Sequence, residues 1–467
     1  MSLKSRTFLG LSKLSNLQLS SNLKNIDTQA FNGLSYLEVL QVQSASLADL
    51  NQYSFTGLAN LKKLHFIETT FGSINPNAFD GLTNLNSLRF DNCTIGTLKK
   101  GAFAGLSSIR YINVHNHQSC SDVTFYHRYL YNFCNMGLKV IESGAFSQIR
   151  TVDAKNFPGM MAELNLNDNQ LSVIVTNNFI GMEHLKRLAL AYNNITTLQP
   201  EAFGTLNNLE VLNLTHNTIS ELNTESFKGL PHLLYLDLGN NRLSSLNIQM
   251  LAPLRVVRNL DISGNALTEL ISLGTLPIKT LNLSRNKLTM IRDGTLESLT
   301  QLQVLNLSHN ALTTFHYSIP TLNSLYINSN NLRSFNSELL PKLETVDFTD
   351  NQIACNDLPN ILESLKNHSA SYVTEVNCVY DNFDKDSTQM ENRMSILLQD
   401  VKRALATPSN FAQLNTFQIL LITVFLVICA TQLALVIKYC FIKKRRGPKR
   451  LPPIELLDSG RTRLITV

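Results

Sequence analysis

The sequence predicts an α/β solenoid of horseshoe shape, with short parallel strands on its concave face, plus one transmembrane helix. Leucines recur with a period near 24 residues over most of the chain, which is typical of a repeat array. A run of about 21 mostly apolar residues at 417–437 is long enough for a membrane-spanning helix. A cluster of basic residues follows this run directly, as is typical of its cytoplasmic side.

The composition is that of a folded protein without a nucleic-acid-binding surface. Hydrophobic residues make up 44% of the 467 residues and charged residues 16%, a balance that excludes a disordered chain. The net charge of +5 arises at the C-terminal end, because 438–467 hold nine Lys and Arg but two Asp and Glu. Residues 1–437 are nearly neutral, with 31 basic and 33 acidic side chains. A nucleic-acid binder would spread basic residues over its folded surface, so the composition argues against such a partner.

The repeat unit has the pattern L-x-x-L-x-L-x-x-N-x-[LI]-x-x-[LI], followed by F-x-x-L. The clearest unit carries it at Leu185, Leu188, Leu190, Asn193, Ile195, Leu198, Phe203 and Leu206. The same register predicts a solenoid over 8–354 with about fourteen units, which begin at Leu14, Leu37, Leu61, Leu85, Ile109, Met161, Leu185, Leu209, Leu233, Val257, Ile278, Leu302, Leu322 and Leu343.

The spacing predicts which side chains face the core. In each L-x-L segment, alternate side chains of a short strand point inward, while the intervening ones face outward on the concave surface. A single unit cannot cover its own apolar face, so neighbouring units must stack and the two ends need caps. The Asn of the pattern is predicted to hydrogen-bond turn backbone groups from inside, as a structural ladder of Asn169, Asn193, Asn217, Asn241, Asn265, Asn286, Asn310, Asn330 and Asn351.

This pattern resembles the leucine-rich-repeat family, over roughly residues 8–354. The recurrent Phe is similar to that of Toll-like receptor ectodomains, and it stands at Phe31, Phe55, Phe79, Phe103, Phe146, Phe179, Phe203 and Phe227. A closer likeness is to the transmembrane insect leucine-rich-repeat immune proteins. The resemblance implies a structural role for Cys93, which stands at the ladder position, where the family uses Asn or Cys. The signalling TIR domain of Toll-like receptors has no counterpart, because the tail 438–467 is too short for it.

The two ends of the array differ. The segment 355–378 resembles a reduced C-terminal cap of the family, with one disulfide, Cys355 to Cys378, where many relatives carry two. On the chain-entropy model such a bridge contributes roughly 3 kcal/mol. At the other end, Phe8 and Leu11 already form the tail of a repeat, and neither a signal peptide nor a cap precedes them. We therefore expect the native start to lie further upstream.

An insertion at 118–137 interrupts the repeat. Cys120 and Cys134 form a second local pair, which is predicted to close the insertion as a loop. The loop is rich in aromatic rings, at Phe125, Tyr126, Tyr129, Tyr131 and Phe133. Such rings are candidate ligand-binding residues, since Tyr supplies contact area at little entropic cost; alternatively, they fold back over the irregular repeat at 138–160. The nearby histidines lack a supporting carboxylate pattern, so no metal site is predicted.

The C-terminal segments predict a single-pass type I protein of the plasma membrane. Residues 379–416 form a polar stalk with a short helix. The run 417–437 would span roughly 31 Å as a helix, against a bilayer core of about 30 Å. The basic residues of 438–467 place this tail in the cytoplasm, so the repeats lie outside the cell. The helix and the basic tail make membrane lipid a predicted partner.

Six N-x-[ST] sequons fall in the predicted extracellular part, at Asn92, Asn194, Asn213, Asn282, Asn306 and Asn367. Asn213, Asn282 and Asn306 share the outward slot of an L-N-L segment, so glycans there would crowd one column of the C-terminal concave face. A protein ligand is therefore expected nearer the N-terminal half. The outward residues there are further ligand-binding candidates, namely Lys63, His65, Arg89, Asn113 and His115.

The sequence predicts a protein-binding function without catalysis. The motifs G-x-x-x-x-G-K-[ST], G-x-S-x-G, H-E-x-x-H and G-x-G-x-x-G are absent, and an open concave face lacks a water-excluding pocket. We therefore expect no cofactor and an extracellular protein ligand. One interpretation is an innate-immune-type recognition receptor or co-receptor that signals through a partner, in which homodimerisation is also open. The other is an adhesion or guidance molecule of neurons or muscle.

Overall fold

A computed structural model describes the solenoid and part of its C-terminal cap. The described residues are 1–20, 22–106, 108–109, 111–115, 131–133, 135–143, 145–146, 163–246, 248–367, 370–372 and 378–379. The rings Phe125, Tyr126 and Tyr129, the pair Cys120 and Cys134, and the predicted stalk, transmembrane helix and tail beyond residue 379 lie outside them. Within the described residues, no helix is both long and apolar enough to span a bilayer.

One parallel sheet of 16 strands runs along the whole solenoid. Its strands pair in chain order, so each coil stacks on the coil before it, which confirms a solenoid of short parallel strands. We call the outer side of this sheet, which the sequence predicts to be concave, the strand face. The strands are Asn16–Ser20, Val39–Gln43, Lys63–Ile67, Ser87–Asp91, Tyr111–His115, Tyr131–Asn132, Glu163–Asn165, Arg187–Ala189, Val211–Asn213, Tyr235–Asp237, Asn259–Asp261, Thr280–Asn282, Val304–Asn306, Ser324–Tyr326, Thr345–Asp347 and Ser371–Tyr372.

Helices are few, so the expectation of an α/β fold is only partly met. The described residues contain the α-helices Ile248–Leu251 and Leu358–Asn367 and the 3₁₀ helix Ser337–Leu339. Most F-x-x-L segments form a single turn instead, as where the Leu58 N–H donates to the Phe55 carbonyl at 3.2 Å. The glycine between these two residues has a φ of +100°, a left-handed conformation that ends the turn before a helix can develop.

Some coils have a second short strand after the strand of the large sheet, and these second strands pair with each other. A four-stranded parallel sheet joins Ser46–Leu50, Thr70–Ile74, Thr94–Leu98 and Val140–Ile141 in the N-terminal part. The other pairs are two-residue strands, namely Ser2–Leu3 with Asn25–Ile26, Val173–Ile174 with Thr197–Leu198, and Glu269–Leu270 with Met290–Ile291. The N-terminal coils are therefore more extensively paired than the C-terminal ones.

Alternation within each strand decides which side chains enter the core. In Lys63–Ile67, Leu64 and Phe66 are buried and the side chains between them face outward. The buried side chains of all coils form one continuous hydrophobic core. Within it, the recurrent rings stack from coil to coil at centroid distances between 5.8 and 6.4 Å, through Phe31, Phe55, Phe79, Phe103, Phe146, Phe179 and Phe203.

The predicted ladder residues lie inside the C-terminal coils, and Asn193 shows their arrangement. Its Nδ2 donates to the carbonyls of Leu190 and Ala191 in its own coil and of Leu166 in the preceding coil, at 3.0–3.1 Å. Its Oδ1 accepts the N–H of Leu171, also in the preceding coil, at 3.1 Å. Each amide thus joins two coils and satisfies turn groups that would be costly to bury alone. Equivalent contacts recur at Asn169, Asn217, Asn241, Asn265, Asn286, Asn310, Asn330 and Asn351.

The end of the predicted insertion belongs to the solenoid itself. Tyr131–Asn132 is a strand of the large sheet and pairs with the strands before and after it. Phe133 and Met136 follow it and are fully buried. The insertion therefore ends before Tyr131, and not at residue 137. The leucine pattern does not reveal this coil, because Tyr131, Phe133 and Met136 stand where other coils have Leu, Leu and Asn.

Candidate ligand-binding face

The N-terminal part of the strand face brings three predicted ligand-binding residues together. Lys63 and His65 lie on one strand, and Arg89 lies on the next. The parallel register places His65 beside Arg89, with Asp91 at the following outward position. The side chains that alternate with them fill the core, so the outward ones are left to interact with each other and with solvent.

Asp91 connects two of these residues. Its Oδ1 accepts a hydrogen bond from Arg89 Nε at 2.8 Å, and its Oδ2 lies 2.8 Å from His65 Nε2. The side chain of Asp91 is 19% exposed, whereas that of Arg89 is 43% exposed. The carboxylate is therefore mostly hidden between two basic groups, while much of the guanidinium is open to solvent. We call Asp91 with Arg89 and His65 the Asp91 cluster.

The cluster favours the ionised form of Asp91. Burial by itself raises the pKa of Asp91, but hydrogen bonds and charges from Arg89 and His65 outweigh burial and lower that pKa below its ordinary value. Charge-assisted hydrogen bonds from both sides fix the orientation of the two basic side chains. Asp91 itself was not among the residues predicted from the sequence. Its position two residues after Arg89, on the same outward side of a strand, is the signal that identifies it.

The surroundings of the Asp91 cluster are polar and carry charges of both signs. Lys63 is exposed and forms no ion pair with any described residue. Lys62, just before the same strand, pairs with Glu38 at 2.6 Å. Beyond the other end of the strand, the Ser44 hydroxyl donates to Glu68 Oε2 at 3.1 Å. The ammonium group of Lys63 and the partly exposed side chain of Arg89 therefore offer positive charge to an acidic group on a ligand.

Four predicted site residues are described by their backbone alone. Asn113 and His115 lie on the strand next to Arg89 and Asp91, in register with them. Tyr131 is a strand residue, and Asn367 ends the C-terminal helix. Their side chains lie outside the described part of the chain.

Phe133 is the one ring of the predicted aromatic loop whose side chain is described. It is fully buried, and its centroid lies 5.4 Å from that of Phe103 and 6.1 Å from that of Phe146. This ring covers the core, in agreement with the second interpretation of the loop. Its position does not decide the role of the other rings.

The three described cysteines have structural surroundings. Cys355 and Cys378 form a disulfide, with their Cα atoms 4.9 Å apart. Cys93 is a buried free thiol, and burial raises the pKa of Cys93 to about 12. The thiol therefore stays protonated, and it donates to the carbonyl oxygen of Asp91 at 3.3 Å. A protonated, buried thiol fits the structural role that the resemblance implies.

The C-terminal part of the strand face carries a column of Asn and Asp. The register aligns Asn213, Asp237, Asp261, Asn282 and Asn306 on successive strands. Each Oδ1 accepts the backbone N–H two residues further on, at 2.8–3.1 Å, and so stabilises the turn after its strand. Asn282 also donates through Nδ2 to Asp261 Oδ2 at 2.7 Å. The recurrence of Asn or Asp at one position of the repeat is the signal for this role.

The sequon residues differ in exposure. Asn213 is only 6% exposed. Asn92, Asn282 and Asn306 are half-buried, and Asn194 is exposed. A column of glycans over the C-terminal strand face therefore has less support at Asn213 than at the other two positions.

Charged residues also pair at the start of the C-terminal coils. Glu163 is buried, and its Oε1 lies 3.1 Å from Arg187 Nε. Burial raises the pKa of Glu163, and the charge of Arg187 opposes that shift. Lys186 pairs with Glu210 of the next coil, beside an open depression of about 430 Å³. Among the described residues, no group of three His, Cys, Asp or Glu side chains is placed to hold a metal ion.

Two family models match most of the chain. The model described as BspA type leucine rich repeat region matches residues 1–131 and 58–167. The model described as leucine rich repeat matches residues 161–219, 207–267 and 277–332. The change from one model to the other coincides with the start of the Asn ladder at Asn169. No curated protein matches the sequence.

Solved structures share the fold at low sequence identity. Toll of Drosophila, solved in the Toll–Spatzle complex, is 18% identical with a TM-score of 0.54, and the match covers 79% of this chain and 56% of that chain. The leucine-rich repeat domain of APL1B is 19% identical with a TM-score of 0.45, over 79% and 92% of the two chains. A leucine-rich-repeat protein of Leptospira interrogans is 21% identical with a TM-score of 0.46, over 78% and 90%. This chain thus spans little more than half of the Toll chain.

Proposed function

The chain belongs to the leucine-rich-repeat proteins, and on that premise we propose that it is a single-pass type I cell-surface protein that binds an extracellular protein through its N-terminal strand face. The Asp91 cluster carries this proposal. Its side chains contribute nothing to the core, yet they are held in place by hydrogen bonds across two coils. Ordered polar side chains on an open face are suited to recognition, because little entropy is lost when a ligand binds them.

Two further observations support a receptor or co-receptor role. Toll forms a complex with Spatzle that is a hub in Drosophila development and innate immunity, so a related solenoid serves in protein recognition. The run 417–437, followed by basic residues, provides the membrane anchor and leaves a tail of about thirty residues.

The experiment is a binding screen with a matched pair of variants. Cells that display the full chain are exposed to a collection of secreted proteins and cell-surface ectodomains, and the affinity of each hit is measured. We expect Arg89→Ala to weaken binding about tenfold or more, since loss of one charged contact costs about 1.4 kcal/mol or more. Arg242→Ala is the control, because Arg242 is an exposed arginine that lies outside the strands of the face.

A triple replacement of Tyr126, Tyr129 and Tyr131 by Ser tests the aromatic loop in the same assay. We expect it to weaken capture more than Gln does at Asn213, Asn282 and Asn306. Each variant must still unfold cooperatively. The proposal is wrong if Arg89→Ala and the triple variant both bind normally while substitutions of the C-terminal strand face abolish capture.

A further inference from the structure

One corner of the solenoid combines a sequon with an exposed aromatic ring. The segment Tyr192-Asn-Asn-Ile-Thr196 follows the strand Arg187–Ala189. Burial alternates along it, since Tyr192 and Asn194 are exposed while Asn193 and Ile195 are buried. Tyr192 and Asn194 therefore both lie on the surface of this corner. Two residues span at most about 7 Å, so a group attached to Asn194 is within reach of the Tyr192 ring.

The ring of Tyr192 is held by the next coil. It stacks on the ring of His216 with a centroid distance of 4.2 Å and an interplanar angle of 10°. Asn240 Nδ2 lies 3.2 Å from His216 Nε2, which extends the contact to a third coil. The Thr218 hydroxyl donates to the carbonyl oxygen of Asn194 at 3.3 Å. The corner that carries the sequon is therefore fixed by contacts between coils.

Tyr192 also adopts a conformation that its side chain disfavours. Its φ is +54°, in the left-handed region, where Gly, Asn and Asp are accepted most easily. Other coils have a positive φ at the same position with residues as different as Glu68, Arg285 and His309, so this conformation belongs to the repeat. Tyr192 is 39% exposed and does not fill the core. The exposed ring beside the sequon, and not the backbone conformation, distinguishes this coil.

Asn194 differs from the other described sequons in what lies around it. Its side chain is exposed and makes no hydrogen bond to any described residue, whereas Asn213 is buried and Asn282 donates to Asp261. Two residues before Asn92 stands Phe90, which is fully buried. The residues two before Asn213, Asn282, Asn306 and Asn367 are not aromatic. Among the described sequons, Asn194 has an exposed ring two residues before it in the chain, whereas Asn306 has the exposed Tyr326 beside it on the neighbouring strand.

We propose that Asn194 carries an N-linked glycan whose first sugar packs on the ring of Tyr192. The Nδ2 of Asn194 would attack the anomeric carbon of a sugar carried on a lipid diphosphate. The new nitrogen–carbon bond replaces the carbon–oxygen bond to the diphosphate, the amide loses one proton, and the lipid diphosphate leaves with the bonding electrons. The face of the aromatic ring is electron-rich and attracts the C–H groups of a sugar. This inference rests on the extracellular placement in the proposed function.

The test measures occupancy and thermal stability together. The full chain, directed into the secretory pathway of cultured animal cells by an appended signal peptide, is purified, and the occupancy of each sequon is measured by peptide mass spectrometry. We expect nearly full occupancy of Asn194. With Tyr192→Ser, the ratio of unoccupied to occupied Asn194 should rise several-fold while the other sequons do not change, and Tyr192→Phe should have no effect. Tyr53→Ser is the matched control, since Tyr53 is 42% exposed and has no sequon beside it.

A double-mutant cycle separates packing from mere occupancy. Asn194→Gln removes the glycan, and we expect it to lower the unfolding temperature by roughly 1 to 2 °C when residue 192 is Tyr, but not in the Tyr192→Ser background. Glycans on other sequons with Asn194 empty would overturn this inference alone. An Asn194 that is occupied but shows no coupling to Tyr192 would overturn the packing. A chain with none of its sequons occupied would overturn this inference and the extracellular placement as well.

Discussion

The N-terminal and C-terminal coils close the same turn in different ways. At the ladder position the C-terminal coils have Asn, while the N-terminal coils have Ala45, Thr69 and Cys93, all buried. In the N-terminal coils the turn groups pair through the backbone, as where Thr70 N–H donates to the Ala45 carbonyl at 3.0 Å and Thr94 N–H to that of Thr69 at 3.1 Å. In the C-terminal coils the Asn side chains take over part of this pairing.

Strand length also differs between the two parts. The coils with Ala45, Thr69 and Cys93 have five-residue strands on the strand face and a second line of five-residue strands after the turn. The coils of the Asn ladder from Asn169 onward have strands of three residues, as in Arg187–Ala189. Buried backbone groups must find partners, so either a side chain or a longer strand has to supply them. The comparison indicates that the two halves reach stability through different groups.

The largest expected difference concerns the rings of the N-terminal core. Phe66 lies 5.0 Å from Phe71 and 5.4 Å from Phe90, centroid to centroid, whereas the equivalent residue of the coil that contains Asn217 is Leu214. We expect Phe66→Ala to cost roughly 3 to 5 kcal/mol, and Leu214→Ala at the equivalent C-terminal position about 3 kcal/mol. Hydrogen exchange of peptides from each half locates the loss. Equal deprotection of both halves by Phe66→Ala would show that the halves do not differ in this way.

We expect substitutions at the ladder position to lower the unfolding free energy more in the C-terminal coils than in the N-terminal coils. Asn286→Leu removes three donated hydrogen bonds and one accepted one, so we expect a loss of roughly 1 to 3 kcal/mol in thermal unfolding. Thr69→Val at the N-terminal equivalent removes a single hydrogen bond, from Oγ1 to the Ile67 carbonyl, and should cost less than about 1 kcal/mol. Similar losses in the two variants would contradict the division between amide and backbone pairing.

The smallest expected effect concerns two carboxylates, Asp91 and Glu163. We expect them to make the stability of the two halves depend on pH in opposite directions. The pKa of Asp91 is lowered, so its contribution to stability is present above about pH 4 and is lost as the pH falls through the lowered pKa. The pKa of Glu163 is raised, so its contribution is present at low pH and is lost as the pH rises through the raised pKa. We expect Asp91→Asn to lower the unfolding temperature at pH 7 but hardly at pH 3.

The companion variant Glu163→Gln should raise the unfolding temperature at pH 7, with a gain that shrinks toward pH 4. The control for both is Asp350→Asn, an exposed carboxylate in a C-terminal coil for which no hydrogen-bond partner is described. The measurement is the unfolding temperature of each of the three variants, relative to the unmodified protein, from pH 3 to pH 8. Parallel shifts of Asp91→Asn and Glu163→Gln over that range would show that the two sites do not respond oppositely.

Much of the fold could be predicted from the sequence, because burial in a stacked array repeats with the chain. The spacing of Leu185, Leu188 and Leu190 reports a strand with two inward side chains whichever coil lies beside it. The same holds for the Asn position, since an amide amid leucines needs backbone partners wherever it lies. The coil at Tyr131 was not predicted, because its buried residues Phe133 and Met136 stand where other coils have Leu and Asn.

The sequence by itself thus determined the stacked parallel coils, the inward and outward sides of each strand and the Asn ladder, all of which depend on residues close together in the chain. The tertiary structure alone decided the Asp91 cluster and the stack of Tyr192 on His216. His65 and Asp91 are separated by 26 residues, and they meet only because the register between two coils sets them side by side. Contacts across coils depend on that register, which a one-dimensional pattern does not specify.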